Sequence, residues 1–531
     1  MTAIENSNPG TRVSPAGDAA AAFQWVVLLI VAASFAATVL VFYPGYSTAD
    51  ARYVYADALA WDFGDWQSPA MGVLWRLIDP LAPGSLSMFL LTAALYWLAF
   101  GMLALIIARR SVWLGLLTPL AAFAPPAFFF IGMIWRDVLF GVVWLLAAVL
   151  AFTAAERVPH TRRWLQAMAL ALIAFGVLLR PNAVIAAPLL AAYVMWSKGL
   201  HLKQTAIAFL PALILFVALV PLVYYGLLGA KRQNPLHAIL VFDLGGITRF
   251  TGENQFPVVW SPEQTAMLAG PCYDPVRWDS YWHVPPCPFV MQRLERPDDV
   301  IFGTGRLVAA WWHALTTHPL AYLRHRATFS RQFLARSNLV LPVWDWLDPA
   351  SPYGHRRAFT PLVALHDALQ PTLLFRPGLW LILAAAVGAF AWPARSTPAG
   401  TFAFATTSTA TVYLLSFSLL GVAACASPIT PFAASRASSL RQGKLAPRSK
   451  IRPAAFSRSG GPAFGSSIAR RTRSGASTNI TEVSLLPPCT SRPFASTSPP
   501  ARSNGWIAQA LSSKSPANSC MRFSSTPRLP P

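Results

Sequence analysis

The sequence predicts an all-α polytopic membrane protein with about nine transmembrane helices. Its 531 residues are 55% hydrophobic and only 12% charged, whereas about a quarter of the residues in a typical soluble protein are charged. The apolar residues also lie in long runs, and several of these approach the roughly 20 residues that cross a bilayer. The polar remainder predicts an acidic first outer loop with short interfacial helices, and a small extracytoplasmic segment.

Seven candidate spans precede residue 230 and two follow residue 373. We expect the first run to be a retained anchor rather than a cleaved signal peptide. The fifth and sixth runs are short and flank Arg180-Pro181-Asn182, which indicates either two spans that meet at a tight turn or one broken helix. The candidate spans are residues 23–43, 86–108, 113–133, 137–155, 164–180, 183–197, 205–229, 374–393 and 400–425.

Basic residues in the short loops predict the orientation. Lys and Arg follow the second, fourth, sixth and eighth runs, and such loops remain in the cytoplasm. We therefore place the tail 1–22 in the cytoplasm and the charged turns on the opposite face. That face receives residues 44–85, 135–137, 180–182 and 230–373, whereas the membrane domain itself comprises residues 23–229 and 374–425.

The first loop, residues 44–85, contains five carboxylates. Thr48 and Ser47 can cap a short helix in which Asp50 and Asp57 lie two turns apart on one face. A turn at residues 66–69 then leads into a second amphipathic stretch. Carboxylates at a membrane–water boundary can handle a proton, a metal or a lipid head group, or they are simply solvated loop charges. The five are Asp50, Asp57, Asp62, Asp65 and Asp79.

Segment 230–373 is too polar to insert as a whole and too rich in Trp and Tyr to be disordered. We expect a small extracytoplasmic domain or helices that lie on the membrane. Cys272 and Cys287 are spaced as a disulfide would be in an oxidising compartment, and a metal pair is disfavoured because only His283 lies between them. Residues 304–337 are basic and aromatic, which suits either an anionic head-group layer or a solvated face.

The tail 426–531 differs in composition from the rest. It has 15 Lys and Arg against the single acid Glu482, and so provides most of the net charge of +21. This distribution does not indicate a nucleic-acid partner. The segment reads as disordered and basic. Its scattered Ser, Arg and Pro, directly after an apolar run, also suggest an out-of-frame translation, which retranslation of the nucleotides would test.

Four short motifs share the predicted outer face. They are Ser-x-Ala-Asp at 47–50, Asp-Trp-x-x-Pro at 65–69, Trp-Arg-Asp at 135–137 and Arg-Pro-Asn at 180–182. With these motifs in this order, residues 20–425 resemble the polytopic GT-C glycosyltransferases, in particular the bacterial relatives of the protein O-mannosyltransferases and lipid A aminoarabinose transferases. The resemblance implies the bacterial cytoplasmic (inner) membrane, with a periplasmic active face.

The resemblance also implies an activity and a set of residues. The donor would be a polyprenyl-phosphate sugar, the acceptor a glycan, lipid or protein, and the general base an aspartate of the first loop. Because this loop lacks the Asp-Glu pair of the family, the base is Asp50, Asp57 or Asp65. Arg136 and Arg180, or a divalent ion such as Mg²⁺ or Mn²⁺, would neutralise the leaving phosphate. Asp137 would orient these groups or bind the metal.

Two other functions are open at this stage. A transporter for lipid-linked saccharides would need ionisable residues in mid-span and internal repeats, and the spans carry almost no ionisable residues away from their ends. An O-antigen polymerase or ligase would also place its key residues in outer loops, so the sequence does not distinguish it from a transferase.

Overall fold

The computed structural model is helical throughout the part it describes, residues 15–283, 285–336 and 359–421. Within these ranges the protein has eighteen α-helices, several single 3₁₀ turns and one π-helical turn. Extended pairing in the same ranges is limited to two isolated β-bridges. The predictions for the basic tail 426–531 and for most of the N-terminal tail lie outside the described residues.

Ten helices precede residue 230. They are α1 Pro15–Phe42, α2 Ala49–Ala60, α3 Pro69–Ile78, α4 Ser85–Ala108, α5 Val112–Ala121, α6 Pro125–Ile131, α7 Arg136–Ala155, α8 Pro159–Leu179, α9 Ala187–Met195 and α10 Leu202–Pro221. Segment 230–373 contains α11 His237–Thr251, α12 Pro262–Ala269, α13 Phe289–Leu294, α14 Gly305–Thr317, α15 Pro319–Ala335 and α16 Phe359–Leu369. The last two helices are α17 Pro377–Ala391 and α18 Pro398–Leu420.

Seven of the described helices are long and apolar enough to cross a membrane, or eight with one bent pair. The bent pair is α5 and α6, which meet at 58° because Pro125 disfavours helical backbone in the residue before it. The sixth predicted span, 183–197, differs: a 3₁₀ turn, Pro181–Ile185, precedes the nine-residue helix α9. Pro181 begins the first piece and Pro188 is the second residue of the other, and each piece is too short to span alone.

Helix α7 is the centre of the membrane domain. It contacts α4, α8, α9 and α18, and 78% of its apolar window is buried, against 6% for α10. Small residues on α7, such as Ala147 and Ala151, are fully buried and allow close approach of the neighbouring helices. Since α7 begins at Arg136, the Trp-Arg-Asp turn lies at the start of the most enclosed helix.

The four basic loops lie together at the other end of these helices. Arg109, after α4, forms an ion pair of 3.1 Å with Glu156, after α7. The Leu200 amide, after α9, donates to the Arg395 carbonyl, before α18, over 3.0 Å. Helix α8 connects the two ends, because its start lies beside these loops and its end leads into Arg180.

Segment 230–373 has a hydrophobic core of its own. Cys272 and Cys287 form a disulfide in it, and both are fully buried. Trp66 of the first loop packs on two indoles of this segment, with ring centroids 5.8 Å from Trp278 and 5.3 Å from Trp282. The first loop is therefore held between the membrane helices and segment 230–373.

The basic stretch 304–337 is not a continuous solvated face. His325 and Arg326 are buried, contrary to that expectation, because Asp243 of α11 supplies the counter-charge at 2.6 Å from Arg326. Trp311 donates to the same carboxylate over 2.9 Å, and Arg326 donates to the Gly421 carbonyl over 2.7 Å. The exposed basic residues of α15 and its end are Arg324, Arg331 and Arg336.

Candidate functional site

Four charged side chains from three parts of the sequence meet at the first-loop end of the membrane helices. Asp50 lies in the first turn of α2, Arg136 and Asp137 begin α7, and Arg180 follows α8. Asp50 interacts electrostatically with the other three, and Arg180 forms an ion pair with Asp137. We call these four residues the charged cluster.

Backbone pairing brings the start of α2 to the start of α7. The Tyr46 amide donates to the Gly132 carbonyl over 2.8 Å, and the Ile134 amide donates to the Tyr46 carbonyl over 2.9 Å. Thr48 then caps α2 through its hydroxyl, which also accepts the indole N–H of Trp135 at 2.9 Å. Asp50 is two residues from this cap, and so its position relative to Arg136 is set by main-chain contacts.

The Trp66–Pro69 turn approaches the cluster from a second side. Arg136 donates to the Trp66 carbonyl over 2.9 Å. Ser68 caps α3 and donates to the Leu178 carbonyl, near the end of α8, over 2.9 Å. The motif at residues 65–69 thus contacts the start of α7, which carries Arg136, and the end of α8, which Arg180 follows.

Asp65 fixes the first loop to the residues after α10. One carboxylate oxygen accepts the Tyr225 hydroxyl at 2.7 Å, and the other accepts the Gln233 amide at 2.6 Å. The Lys231 amide donates to the Phe63 carbonyl over 2.8 Å, and the Asp65 amide donates back to Lys231 over 3.1 Å. We call these contacts the Asp65 latch, and they indicate a positioning role for this carboxylate.

Asp57 lies in different surroundings from Asp50, although both belong to α2. It borders a narrow crevice with Phe63, Gly64 and Gln67. Asp79 closes the first loop, where it accepts the Tyr55 hydroxyl at 3.0 Å and the Gly84 amide at 2.9 Å. Of the three candidate bases, Asp50 is the one that the fold brings to the two arginines.

The charged cluster is partly accessible to solvent. More than a third of the Asp50 surface is accessible, and the side chains of Asp137 and Arg180 are 41% and 21% accessible. Protein nevertheless surrounds Asp50 closely, and this burial raises the pKa of its carboxyl above the usual value, although nearby Arg136 opposes the shift. A carboxylate in this environment is a better proton acceptor than one in bulk water.

Tyr413 of α18 is a further member of this site that the sequence analysis missed. Its hydroxyl hydrogen-bonds the Asn182 side chain and lies within electrostatic range of Arg180 and Asp137. Its ring packs on Phe140 with centroids 5.2 Å apart. The available signal was a polar aromatic residue near the end of an apolar span, opposite the Arg-Pro-Asn turn.

The cluster does not fit a resident divalent ion. No group of three His, Cys, Asp or Glu side chains that could hold a metal occurs in the described part of the chain. Asp50 and Asp137 supply two carboxylates, but Arg136 and Arg180 already balance their charge and Arg180 is bound to Asp137. Mg²⁺ sites use carboxylates that are free to coordinate, together with substrate phosphates.

Comparison of the chain with family models, with curated proteins and with solved structures finds no match. The motifs and the geometry of the charged cluster are therefore the basis for a functional proposal.

Proposed function

We propose that the protein is a GT-C type glycosyltransferase of the bacterial inner membrane. It would transfer a sugar from a polyprenyl-phosphate donor to an acceptor on the periplasmic face. The observation that supports this most is the charged cluster, which combines a carboxylate of raised pKa with two guanidinium groups at one partly accessible place. These are the two kinds of group that glycosyl transfer from a lipid phosphate requires.

Asp50 is the general base in this proposal. The acceptor hydroxyl gives its proton to the Asp50 carboxylate while its oxygen forms a bond to the anomeric carbon of the sugar. The bond from that carbon to the phosphate oxygen breaks, and the leaving polyprenyl phosphate keeps the electron pair. A positioned base of this kind typically contributes about 10²–10⁴-fold to a rate.

Arg136 and Arg180 stabilise the leaving phosphate. Guanidinium groups bind phosphate oxygens through paired N–H donors and retain their charge. Asp137 orients Arg180 through their ion pair, and the Trp66 carbonyl orients Arg136. The two cations therefore need little rearrangement when the phosphate becomes more negative, which is the condition for effective electrostatic catalysis.

The lipid tail of the donor can reach this site along α10. Only 6% of the apolar window of α10 is buried, so most of its surface is available to lipid. Its π-helical end carries Tyr224, which interacts electrostatically with Arg136. A polyprenyl chain beside α10 would thus bring its phosphate to the arginines without leaving the membrane.

Substitution of Asp50 tests the proposal. A deletion strain would be complemented with the wild-type protein, with Asp50→Asn or with Asp57→Asn. The surface glycans of these strains and of the deletion would be compared by mass spectrometry. Asp57→Asn is the matched control, because it removes the same charge from the same helix outside the cluster. We expect Asp50→Asn to match the deletion and Asp57→Asn to match the wild type. Unchanged glycans in the deletion itself would refute an enzyme of this class.

Purified protein separates a transferase from a saccharide transporter. Proteoliposomes with a polyprenyl-phosphate hexose and a saccharide acceptor would be assayed for free polyprenyl phosphate. A transferase releases it, at a rate that falls about 10²–10⁴-fold in Asp50→Asn. Movement of the intact donor between leaflets without its cleavage would instead identify a transporter.

A further inference from the structure

A second pocket lies at the opposite end of the membrane domain, at the basic loops. It has a volume of about 450 Å³ and lies between the start of α8, the residues after α9 and the turn before α18. Small-molecule sites in proteins usually have volumes of about 300–1,000 Å³. This pocket is thus large enough for a polar head group, and the proposed transferase activity does not use it.

The pocket and the charged cluster are separated by most of a bilayer. Arg162 lines the pocket near the start of α8, whereas Arg180 follows the end of that helix. The helix has 21 residues, which corresponds to about 30 Å at 1.5 Å per residue. That length matches the hydrocarbon thickness of a membrane, and so a ligand of this pocket would belong to the other leaflet.

The lining of the pocket is cationic. Arg162 and Lys198 contribute to it, and its ten described lining residues include no Asp or Glu. The nearby acid Glu156 is occupied by its ion pair with Arg109 at 3.1 Å. An anion can therefore approach the pocket without repulsion from its lining.

Hydrogen bonds at its edges give the pocket a defined shape. Gln166 donates to the Val194 carbonyl over 2.7 Å and joins α8 to the end of α9. The Leu200 amide donates to the Arg395 carbonyl over 3.0 Å and joins the next loop to the turn before α18. Arg395 in turn stacks on Trp392, 4.2 Å from its ring centroid. Three separate elements are thus fixed around the cations.

Exposed indoles indicate that the pocket lies at head-group depth. Trp113, Trp164 and Trp392 are 77%, 63% and 41% exposed, and all three lie at this end of the helices. Tryptophan is enriched where a membrane meets water. Met195, which is 56% exposed, adds an apolar surface at the pocket itself, as a ligand with acyl chains would require.

We propose that this pocket binds the phosphate of an anionic phospholipid in the leaflet opposite the charged cluster. Arg162 and Lys198 contact the phosphate, Trp196 packs beside the head group, and the acyl chains leave past Met195. Basic pockets between transmembrane helices are a known way to hold anionic lipids. The bound lipid would join α8, α9 and α18 at this end.

Two double variants with equal charge test the proposal. Arg162→Gln with Lys198→Gln removes two cations from the pocket, whereas Arg163→Gln with Lys203→Gln removes two exposed neighbours outside it. Full-length protein in detergent would be titrated with phosphatidylglycerol and with phosphatidylcholine, and bound lipid measured by native mass spectrometry. We expect the pocket variant to lose phosphatidylglycerol affinity roughly 10–30-fold, and the control to change less than about threefold.

Four results would overturn the proposal. Equal losses of phosphatidylglycerol affinity in both double variants would show a general attraction to basic surface. Equal binding of phosphatidylcholine would show that the pocket does not select an anionic head group. Displacement of the lipid by inorganic phosphate at equal concentration would identify a soluble anion as the ligand. Thermal unfolding in lipid-free detergent checks the fold, and a pocket variant with wild-type stability and wild-type lipid affinity also contradicts the proposal.

Discussion

At the scale of single residues, the environment of a carboxylate decides its role. Asp50 and Asp65 belong to the same loop, but both oxygens of Asp65 accept hydrogen bonds from the protein. Asp50 instead lies within electrostatic range of two arginines, and burial raises its pKa. A group whose charged form is disfavoured in the folded state is a candidate for function rather than for stability.

The raised pKa of Asp50 predicts how stability depends on pH. Below the unfolded-state pKa of 3.8, the carboxyl is protonated in both the folded and the unfolded protein, and it does not change the free energy of unfolding. As the pH rises towards the folded-state pKa, ionisation destabilises the folded protein. We therefore expect Asp50→Asn to unfold at the same or a higher temperature than wild type at pH 7, and the difference to vanish near pH 4.

Thermal unfolding in detergent across this pH range measures the effect, and Asp57→Asn is the reference. A lower unfolding temperature for Asp50→Asn at pH 7 would contradict it. The raised pKa also predicts the pH dependence of catalysis. Because the base must be ionised, the transfer rate should rise with pH and reach half its maximum above pH 3.8.

At the scale of elements, short pairings position the first loop. One joins Tyr46 to the residues before α7, and the other joins Gly64 to Lys231 after α10. Each is a single β-bridge within a helical protein, and each is reinforced by side chains such as Thr48 and Asp65. The chain is therefore fixed on both sides of α2, which holds Asp50 at a constant position relative to α7.

The Asp65 latch should contribute measurably to stability. Asp65→Asn and Tyr225→Phe each remove one partner of a part-buried hydrogen bond, which typically costs about 1–3 kcal/mol. The double variant should lose little more unfolding free energy than the more destabilised single variant, because both substitutions remove the same contact. Denaturant or thermal unfolding in detergent checks this.

A matched control is available in the same loop. Asp62 forms an ion pair with Lys231 in which the two side chains are 50% and 64% exposed. Exposed pairs of this kind contribute less than about 1 kcal/mol, and Asp62→Asn should be nearly neutral. If Asp62→Asn proved as destabilising as Asp65→Asn, the latch would have no special role.

The disulfide should stabilise segment 230–373. Cys272 and Cys287 close a loop of 15 residues, for which loop-closure entropy gives about 3 kcal/mol. Cys272→Ser with Cys287→Ser should therefore lower the unfolding temperature, and a reductant should no longer affect the variant. An unchanged unfolding temperature in the double serine variant would contradict the prediction.

At the scale of the whole molecule, charge is sorted to the two ends of the helices. The charged cluster lies at one end and the basic loops with their pocket at the other, about 30 Å apart along α8. This separation follows from the cost of placing charge in the hydrocarbon layer. It would let the proposed donor and the proposed phospholipid bind independently, one in each leaflet.

Reporter fusions test this arrangement. Alkaline phosphatase should be active when fused after Ala82 or Gly252, and green fluorescent protein should be fluorescent after Arg110, Arg157 or Lys198. Each reporter functions on one side of the membrane, so the two patterns should be complementary. Because α8 separates Arg157 from Arg180, a result that places Ala82 and Arg157 on the same side would separate Asp50 from Arg180 and end the catalytic proposal.

The sequence by itself determined the helical class, the approximate position of the long spans and the two ends to which charge is sorted. These properties are local, because lipid requires a continuous apolar helix and the basic loops remain on one side. Even the spacing of Cys272 and Cys287 was a local pattern, and the structure contains that disulfide.

Only the tertiary structure decided which polar groups meet. It placed Asp50 within electrostatic range of Arg136 and Arg180, whereas Asp65 forms the Asp65 latch. It also brought Tyr413, more than two hundred residues after Arg180 in the sequence, to the same site. It also buried His325 against Asp243. Such outcomes depend on contacts between distant segments, and the energy of a charge depends on its partners rather than on its neighbours in the chain.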